Sequence, residues 1–314
     1  MLENETQSKA RLATLGEKLK SSLLLALDDF NLQVNQTGEF TSQFAGVHLA
    51  SAFQPIYDIE SGDFHGHEAL LRPRLGNIQE VTPDFAFTYA DKSDKLVKLD
   101  RVSRALHVLN YHEIFKENGL LFLNVHPSLL MRVNEHGKVF ESILHDHAVS
   151  TERVVIEVRD FDTFEQDTEL TVYEQQLAAA IQNYQDRGYK IAIDRFGSAN
   201  SFVSRLWKLA PDYVKFDLQL IQQAEQDALV RNALFGLVHF VQSLGAKPII
   251  TGVETASQLH LAVDAGASLI QGYLFGQPSS AKHLNGSDVL KRQQFVQQVG
   301  PLDASQVFVA VEFS

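Results

Sequence analysis

The 314-residue sequence contains no cysteine, only two methionines and a single tryptophan. The absence of cysteine excludes a disulfide framework, a thiolate zinc site and a cysteine nucleophile. No run of about 18 apolar residues occurs, so the sequence predicts no membrane-spanning helix. The opening residues MLENETQSKARL also lack the apolar core of a secretory signal. We therefore expect a cytoplasmic protein.

Positive charge is scarce as well. The 27 Lys and Arg residues are outnumbered by 39 Asp and Glu residues, which gives a formal net charge of −12. A broadly basic surface for nucleic acid is therefore not expected, and we find no DNA-binding motif. An anionic ligand would need local cations, either metal ions or a few well-placed Arg and Lys side chains.

The residue pattern divides the chain into three segments. Residues 1–45 form a predicted helical extension, because leucines recur three or four residues apart between Leu12 and Leu27. This helix has two open roles, packing on the neighbouring domain and dimerisation or signalling. Residues 46–285 alternate short β-rich runs with longer helical segments, which indicates an α/β domain. Residues 286–314 are expected to pack on that domain and include a strand at 307–313.

Eight strands are predicted in the central segment. The turn between the first two, residues 60–63, is too short for a parallel crossover, so these two strands must be antiparallel. The later strands are separated by helices, for example 173–188, as in a (β/α)8 barrel. The strand ranges are 52–59, 64–73, 120–126, 153–160, 190–196, 213–217, 247–254 and 268–275.

Polar residues stand toward the carboxyl ends of seven of these strands, where β/α barrels carry their chemistry. An oxygen-rich set of Asp, Glu and Asn side chains suits Mg²⁺ or Mn²⁺. Glu68 and Arg72 share one face of their strand, which pairs a carboxylate for a metal with a guanidinium for phosphate. The seven residues are Glu68, Asn124, Glu157, Asp194, Lys215, Glu254 and Gln271.

The segment Glu68-Ala69-Leu70-Leu71-Arg72 resembles the signature of the EAL family of cyclic di-GMP phosphodiesterases. The likeness runs from about residue 50 to 280 and implies a modified TIM-type (β/α)8 barrel with an antiparallel first strand, here with an added N-terminal helix. The other matching motifs, in chain order, are Gln54-Pro55-Ile56, Asn124 in FLNVHPS, Glu157 in VIEV, Asp194 in AIDRFGS, Lys215-Phe216-Asp217, Gly252-Val253-Glu254 and Gln271-Gly272-Tyr273.

The resemblance implies hydrolysis of one phosphodiester bond of cyclic di-GMP to give linear pGpG, assisted by two Mg²⁺ or Mn²⁺ ions. It implies that Lys215 orients the attacking water and that Glu68 is catalytic as a metal ligand. The implied ligands of the first ion are Glu68, Asn124, Glu157 and Asp194. The implied contacts to the nucleotide or its pocket are Gln54, Arg72, Asp217, Glu254 and Gln271.

Two carboxylates of the family pattern are missing. The second Asp of the family's DDFG motif is Arg195 here, and the first Glu of its EGVE motif is Thr251. Both missing groups belong to the surroundings of the second ion, so we expect that ion to be absent. The loop 197–202 also resembles the family's loop only roughly. Arg195 is expected to place a positive charge near the substrate phosphate, because guanidinium binds phosphate well.

These departures favour a degenerate EAL domain that binds or senses cyclic di-GMP with little or no hydrolysis. One alternative is a weakly or conditionally active Mg²⁺- or Mn²⁺-dependent phosphodiesterase, since the ligands of the first ion are intact. Another is a protein-interaction module without nucleotide binding, in which Arg195 pairs with Asp194 or Glu157 and blocks the pocket. A homodimer and a separate protein partner both stay open.

Overall fold

The computed structural model describes residues 31–76, 79–112, 119–126, 129, 141, 144, 145, 149–159, 167–198 and 203–284. The helix predicted between Leu12 and Leu27 and the strand predicted at 307–313 lie outside the described residues. Of the predicted helical extension, residues 32–34 and 40–44 are strands. The limits of the three predicted segments stay predictions.

The strands confirm the predicted barrel. Eight of them close a ring in the order β3-β11-β10-β9-β8-β7-β6-β4, and β4 pairs again with β3. β3 runs antiparallel to both of its neighbours, while the other pairs in the ring are parallel. The ring strands are β3 (Val47–Asp58), β4 (Phe64–Leu75), β6 (Leu120–Val125), β7 (Val154–Arg159), β8 (Lys190–Phe196), β9 (Tyr213–Phe216), β10 (Lys247–Ile250) and β11 (Leu269–Ile270).

Three further strands extend the sheet beyond the ring. β1 (Leu32–Val34) and β2 (Phe40–Phe44) form antiparallel pairs that continue onto β3, and β5 (Gln79–Glu80) pairs with the far end of β4. β2 falls within the predicted helical extension, where no strand is expected. Its residues are almost all buried, because β2 packs against the helix Leu96–His112.

Helices flank the ring, as expected for strands joined by right-handed crossovers. The helix predicted at 173–188 begins earlier and ends at Gln185, followed by Gly188 at φ +85°. No described helix is long and apolar enough to cross a lipid bilayer. The helices among the described residues are α1 (Pro83–Lys92), α2 (Leu96–His112), α3 (Asp167–Gln185), α4 (Val203–Leu209), α5 (Leu218–Gln226), α6 (Ala228–Ser243), α7 (Ala256–Asp264) and α8 (Ala281–Leu284).

The last two ring strands are shorter than the predicted ranges 247–254 and 268–275. The two segments that follow them run against each other, with the Val253 amide donating to the Gln271 carbonyl at 3.2 Å. A Cβ at Gly272 would lie 2.0 Å from the Val253 carbonyl oxygen, so only glycine permits this close approach. The polar ends of both segments are thereby held at the barrel mouth as loops.

The interior of the barrel is layered. Since side chains alternate along a strand, every second residue of the ring points inward. One inward layer is a buried, mostly apolar cluster that plugs the barrel: Ile56, Phe122, Val155, Ala192, Tyr213, Ile249 and Leu269. Two residues further toward the mouth on each of these strands, the sequence places polar groups: Gln54, Asn124, Glu157, Asp194, Lys215, Thr251 and Gln271, to which β4 adds Glu68.

Candidate functional site

The centre of the polar layer is a buried lysine held between two carboxylates. The Lys215 ammonium lies 2.7 Å from Glu68 Oε2 and 2.7 Å from Glu157 Oε1. Glu68 also accepts hydrogen bonds from Asn124 Nδ2 at 2.9 Å and from Gln271 Nε2 at 2.8 Å. The structure therefore brings together five of the predicted site residues, drawn from five different strands or strand ends.

The balance of burial and neighbouring charges lowers the pKa of Glu68 but raises the pKa values of Glu157, Asp194 and Lys215. Burial alone would raise the pKa of Glu68, but the charge of Lys215 and three side-chain hydrogen bonds lower it to about 2. Burial opposes the charge of Lys215, yet the three surrounding carboxylates raise its pKa. Burial and the neighbouring charge of Glu68 raise the pKa of Glu157 well above its ordinary value. Burial likewise raises the pKa of Asp194.

Asp194 and Arg195 both line the mouth of the barrel although they are consecutive residues of one strand. In a regular strand they would point to opposite faces. The pairing of β8 with β9 shifts register between Ile193 and Phe196, and Arg195 adopts φ +59°. A bulge of this kind redirects a side chain. Arg195 is exposed, whereas Asp194 is partly buried beside the lysine cluster.

Two cavities of about 440 Å³ each flank the cluster, and Glu68, Asp194 and Arg195 line both. The helix-side cavity lies toward α1 and α2, and its wall includes Leu70, Asp84, Phe87, His107 and Arg159. The loop-side cavity lies toward the loops after β9, β10 and β11, and its wall includes Gln54, Asp217, Thr251, Glu254 and Tyr273. A bound molecule that filled both would pass across the carboxylates.

Several predicted residues also have local structural roles. Asp217 caps the amino end of α5 by accepting from the Gln219 amide at 2.9 Å. Gln54 donates to the Gly276 carbonyl at 3.2 Å. The side chain of Glu254 is exposed at the loop-side cavity, and its backbone amide donates to Gln258 at 2.8 Å. The side chains of Asp217 and Gln54 are thus held by the fold, whereas Glu254 is held through its backbone.

Arg72 stands apart from the other predicted residues. It shares a strand face with Glu68 but lies beyond residues 66–69, the part of β4 that pairs with β6. Its Nη1 donates to the Leu71 carbonyl at 3.3 Å, and Arg72 does not line either of the two cavities described above. Its charge nevertheless reaches the helix-side cavity, since burial and then Arg72 lower the pKa of His107 to about 3.

The residues that replace the two missing carboxylates face the same cavity. Thr251 lies in the loop-side cavity with Arg195, and its hydroxyl donates to the Phe216 carbonyl at 2.6 Å. The threonine hydroxyl proton is therefore committed to the backbone of β9. A neutral group and a cation thus stand where the resemblance expects two anions.

The carboxylates of the polar layer outnumber the cation with which they pair. With all groups ionised, Glu68, Glu157 and Asp194 would carry three negative charges against one positive charge on Lys215, a formal excess of two. Burial and this excess raise the pKa of Glu157. The buried Glu157 Oε2 atom has no hydrogen-bond partner among the described groups. No three described His, Cys, Asp or Glu side chains are yet arranged as a metal cluster, since Lys215 holds Glu68 and Glu157.

Sequence reasoning missed several residues of the helix-side cavity. Arg159 follows Glu157 by two residues on the same strand, so strand alternation places it on the same inward face and could have identified it. His107 and Asp84 come from the helices α2 and α1, and only the packing of those helices against the barrel brings them to the cavity.

Comparisons with known proteins agree with this architecture. The sequence model of the EAL domain matches residues 38–278. The uncharacterised EAL-domain containing protein YkuI of Bacillus subtilis is 28% identical over 77% of this chain and 57% of its own length. The cyclic di-GMP phosphodiesterase TpdA of Vibrio parahaemolyticus is 28% identical over 82% of this chain and 42% of its own length. The chain thus spans about half the length of these relatives.

A solved structure supports the fold independently. Klebsiella pneumoniae BlrP1, in a complex with manganese and cyclic di-GMP, superposes with a TM-score of 0.65 at 23% sequence identity. The match covers 77% of this chain and 58% of that protein. At this level of identity, the likeness establishes the shared barrel alone.

Proposed function

The chain belongs to the EAL domain family, and on that premise we propose that its barrel mouth binds cyclic di-GMP with little or no hydrolysis. Relatives support the choice of ligand, because TpdA is a cyclic di-GMP phosphodiesterase and BlrP1 was solved with this nucleotide. One observation carries the proposal. Arg195 and Thr251 line the loop-side cavity at the two positions where the resemblance expects carboxylates for a second ion.

The side chains that would hold the first ion are all present in this chain. Glu68, Asn124, Glu157 and Asp194 would hold one Mg²⁺ or Mn²⁺, whose charge equals the formal excess of two and whose preference for oxygen suits these side chains. The partnerless Glu157 Oε2 supports such a site. When bound, the ion supplies Lewis-acid polarisation of a phosphoryl oxygen and lowers the pKa of a water molecule.

Arg195 and Thr251, which replace the two missing carboxylates, favour binding of cyclic di-GMP over its hydrolysis. A guanidinium such as that of Arg195 can hold a phosphate through two parallel hydrogen bonds, but it cannot lower the pKa of a water molecule as a metal does. The Thr251 hydroxyl is neutral and already donates to Phe216. Loss of the second cation from the reaction centre should reduce the rate by on the order of 10² to 10³, as loss of a single electrostatic contact does.

Lys215 has a defined part in this scheme. It lies at hydrogen-bonding distance from two of the proposed metal ligands and stays protonated because their charges raise its pKa. A protonated lysine there orients Glu68 and Glu157 and offsets part of their repulsion. It can donate to a nearby water but cannot accept a proton, so it is a positioning group in this scheme.

A second candidate function is slow hydrolysis supported by one ion. The observation that favours it is the intact group of Glu68, Asn124, Glu157, Asp194 and Lys215, gathered in one buried layer. Calorimetric titration with cyclic di-GMP, with and without Mn²⁺, combined with chromatographic detection of pGpG, separates the two. Binding with negligible pGpG supports the main proposal, and steady pGpG formation supports the second.

Restoration of the missing carboxylates provides the sharper test. The double variant Arg195→Asp with Thr251→Glu should raise kcat by on the order of a hundredfold in Mn²⁺. Arg74→Asp is the control for the arginine replacement, because it makes the same charge change as Arg195→Asp on an exposed part of β4. A parent protein that already cleaves as fast as the double variant contradicts the proposal. A parent that binds no cyclic di-GMP under either metal condition contradicts it as well.

A further inference from the structure

Arg159 is a second arginine at the mouth of the barrel, separate from the replaced position Arg195. It is the last residue of β7, two residues beyond Glu157, and its register partner on β8 is Asp194. Its side chain lines the helix-side cavity and is 30% exposed. The two guanidiniums thus belong to neighbouring strands, and both line the helix-side cavity together with Asp194.

The side chain of Arg159 is engaged by a carboxylate from outside the barrel. Its Nη1 lies 3.0 Å from Asp84 Oδ1, in the first turn of α1. Asp84 also lines the helix-side cavity and is 67% exposed, so the ion pair reaches from the barrel rim to α1 at the cavity itself. An ion pair this exposed contributes little to stability and exchanges readily for another anion.

We propose that Arg159 is a second phosphate-binding cation of this site, and that Asp84 competes with the ligand phosphate for it. Carboxylate and phosphate present similar oxygen acceptors to a guanidinium, so either can occupy the same side of Arg159. The inference rests on the proposed function, because it assigns a role within cyclic di-GMP binding. It adds an intramolecular competitor that lowers the affinity of the free protein.

The charges around the pocket support this assignment. The helix-side cavity contains Glu68, Asp84 and Asp194, so a phosphodiester would meet repulsion unless cations compensate it. Arg104 also lines this cavity but is buried in an ion pair with Asp100, so Arg195 supplies one exposed positive charge for a ligand with two phosphates. Arg159 supplies another on the side of the cavity that faces α1. With both arginines, each phosphate has a possible guanidinium partner.

The test measures cyclic di-GMP affinity by titration calorimetry in three variants. Arg159→Gln should weaken binding about tenfold, because a charge-assisted hydrogen bond is lost. Asp84→Asn should tighten binding about threefold, as expected for the release of an exposed ion pair. In the double variant, Asp84→Asn should give no gain, because the arginine for which it competes is gone.

The control is Glu80→Gln, which breaks the exposed ion pair of Arg74 and Glu80 at 3.1 Å, outside both cavities. It should leave affinity unchanged. Thermal unfolding of each variant verifies that the fold is intact. A purely structural role of the Arg159–Asp84 pair predicts weaker or equal binding for Asp84→Asn, and that result overturns the inference while the proposed function stands. Absence of binding by the parent protein overturns both.

Discussion

Two layers of side chains inside the barrel differ sharply in polarity, although only one residue lies between them along each strand. The layer around Phe122 and Tyr213 is buried and mostly apolar, and it fills the barrel as a packed plug. The layer around Glu68, Glu157 and Lys215 contains buried charges with an excess of carboxylate. We infer that the plug stabilises the barrel. The buried charges of the polar layer reduce stability and are retained because they bind a ligand.

Aromatic contacts hold the plug together. Phe122 and Tyr213 meet edge to face with ring centroids 5.3 Å apart, a favourable geometry for aromatic pairs. His65 approaches both rings and lies 3.2 Å from the Tyr213 hydroxyl. The polar layer is held by hydrogen bonds to charged groups, whose benefit must first offset the cost of burial. The two layers should therefore respond differently to truncation, metal and pH.

The largest effect is expected from Phe122→Ala. Phe122 is fully buried, so truncation leaves a cavity in the plug and should lower the free energy of unfolding by about 4 kcal/mol. Urea unfolding at neutral pH measures the loss, and added Mn²⁺ should recover none of the difference from the parent. Phe85→Ala, at a phenylalanine of α1 that is 46% exposed, is the control and should cost far less. A decrease in the free energy of unfolding below about 1 kcal/mol for Phe122→Ala would contradict a stabilising role of the plug.

Lys215→Met is expected to have the next largest effect and to sharpen the contrast. It leaves Glu68 and Glu157 without their buried cation, so the free energy of unfolding should fall by about 3 kcal/mol. Unlike the plug variant, it should be stabilised by Mn²⁺ more than the parent protein is, because binding to the folded state raises stability. Paired urea titrations with Mn²⁺ and with a chelator measure this difference.

The control for that substitution is Lys208→Met. Lys208 makes an equally short contact with Glu174, at 2.6 Å, but its side chain is 50% exposed. Its loss should cost under about 1 kcal/mol and show no added Mn²⁺ effect. Equal losses for the two lysines would mean that burial of the Lys215 cluster has no energetic consequence.

The barrel and its polar layer could be predicted because both depend on local patterns. The short turn at 60–63 required an antiparallel pair, and the position of Glu157, Asp194 and Lys215 near strand ends placed them in one pocket at the barrel mouth. Residues 251–254 and 271–275 were predicted as strand ends but form loops. Their conformation depends on the close approach of two distant segments at Gly272, which no local propensity encodes.

The remaining parts of the site depend on packing between distant segments. The ion pair of Arg159 with Asp84 joins residues 75 apart in the sequence, and it forms because α1 packs beside the barrel mouth. Arg72 illustrates the reverse case. Its strand face was predicted from alternation, but β4 continues past the ring to pair with β5, and this extension carries Arg72 away from the cavity walls.

The smallest effect tests how the plug responds to acid. Burial, followed by the charge of Lys247, lowers the pKa of His65 to about 4 from an ordinary value of 6.5. The unfolded chain therefore binds this proton first, and stability should fall as the pH drops from about 6.5 to about 4. His65→Asn should remove about 1 kcal/mol of that fall, discounted for partial exposure of the ring.

Urea unfolding of the parent and of His65→Asn at pH 7, 6, 5 and about 4.5 measures the slope. The exposed His260→Asn on α7 is the matched control. Part of the acid sensitivity should persist in the His65 variant, because burial also lowers the pKa values of His67 and His107 to about 3. An unchanged slope in His65→Asn would show that the proton at the aromatic plug is not coupled to folding. The acid response would then have to come from other groups, including the carboxylates of the polar layer.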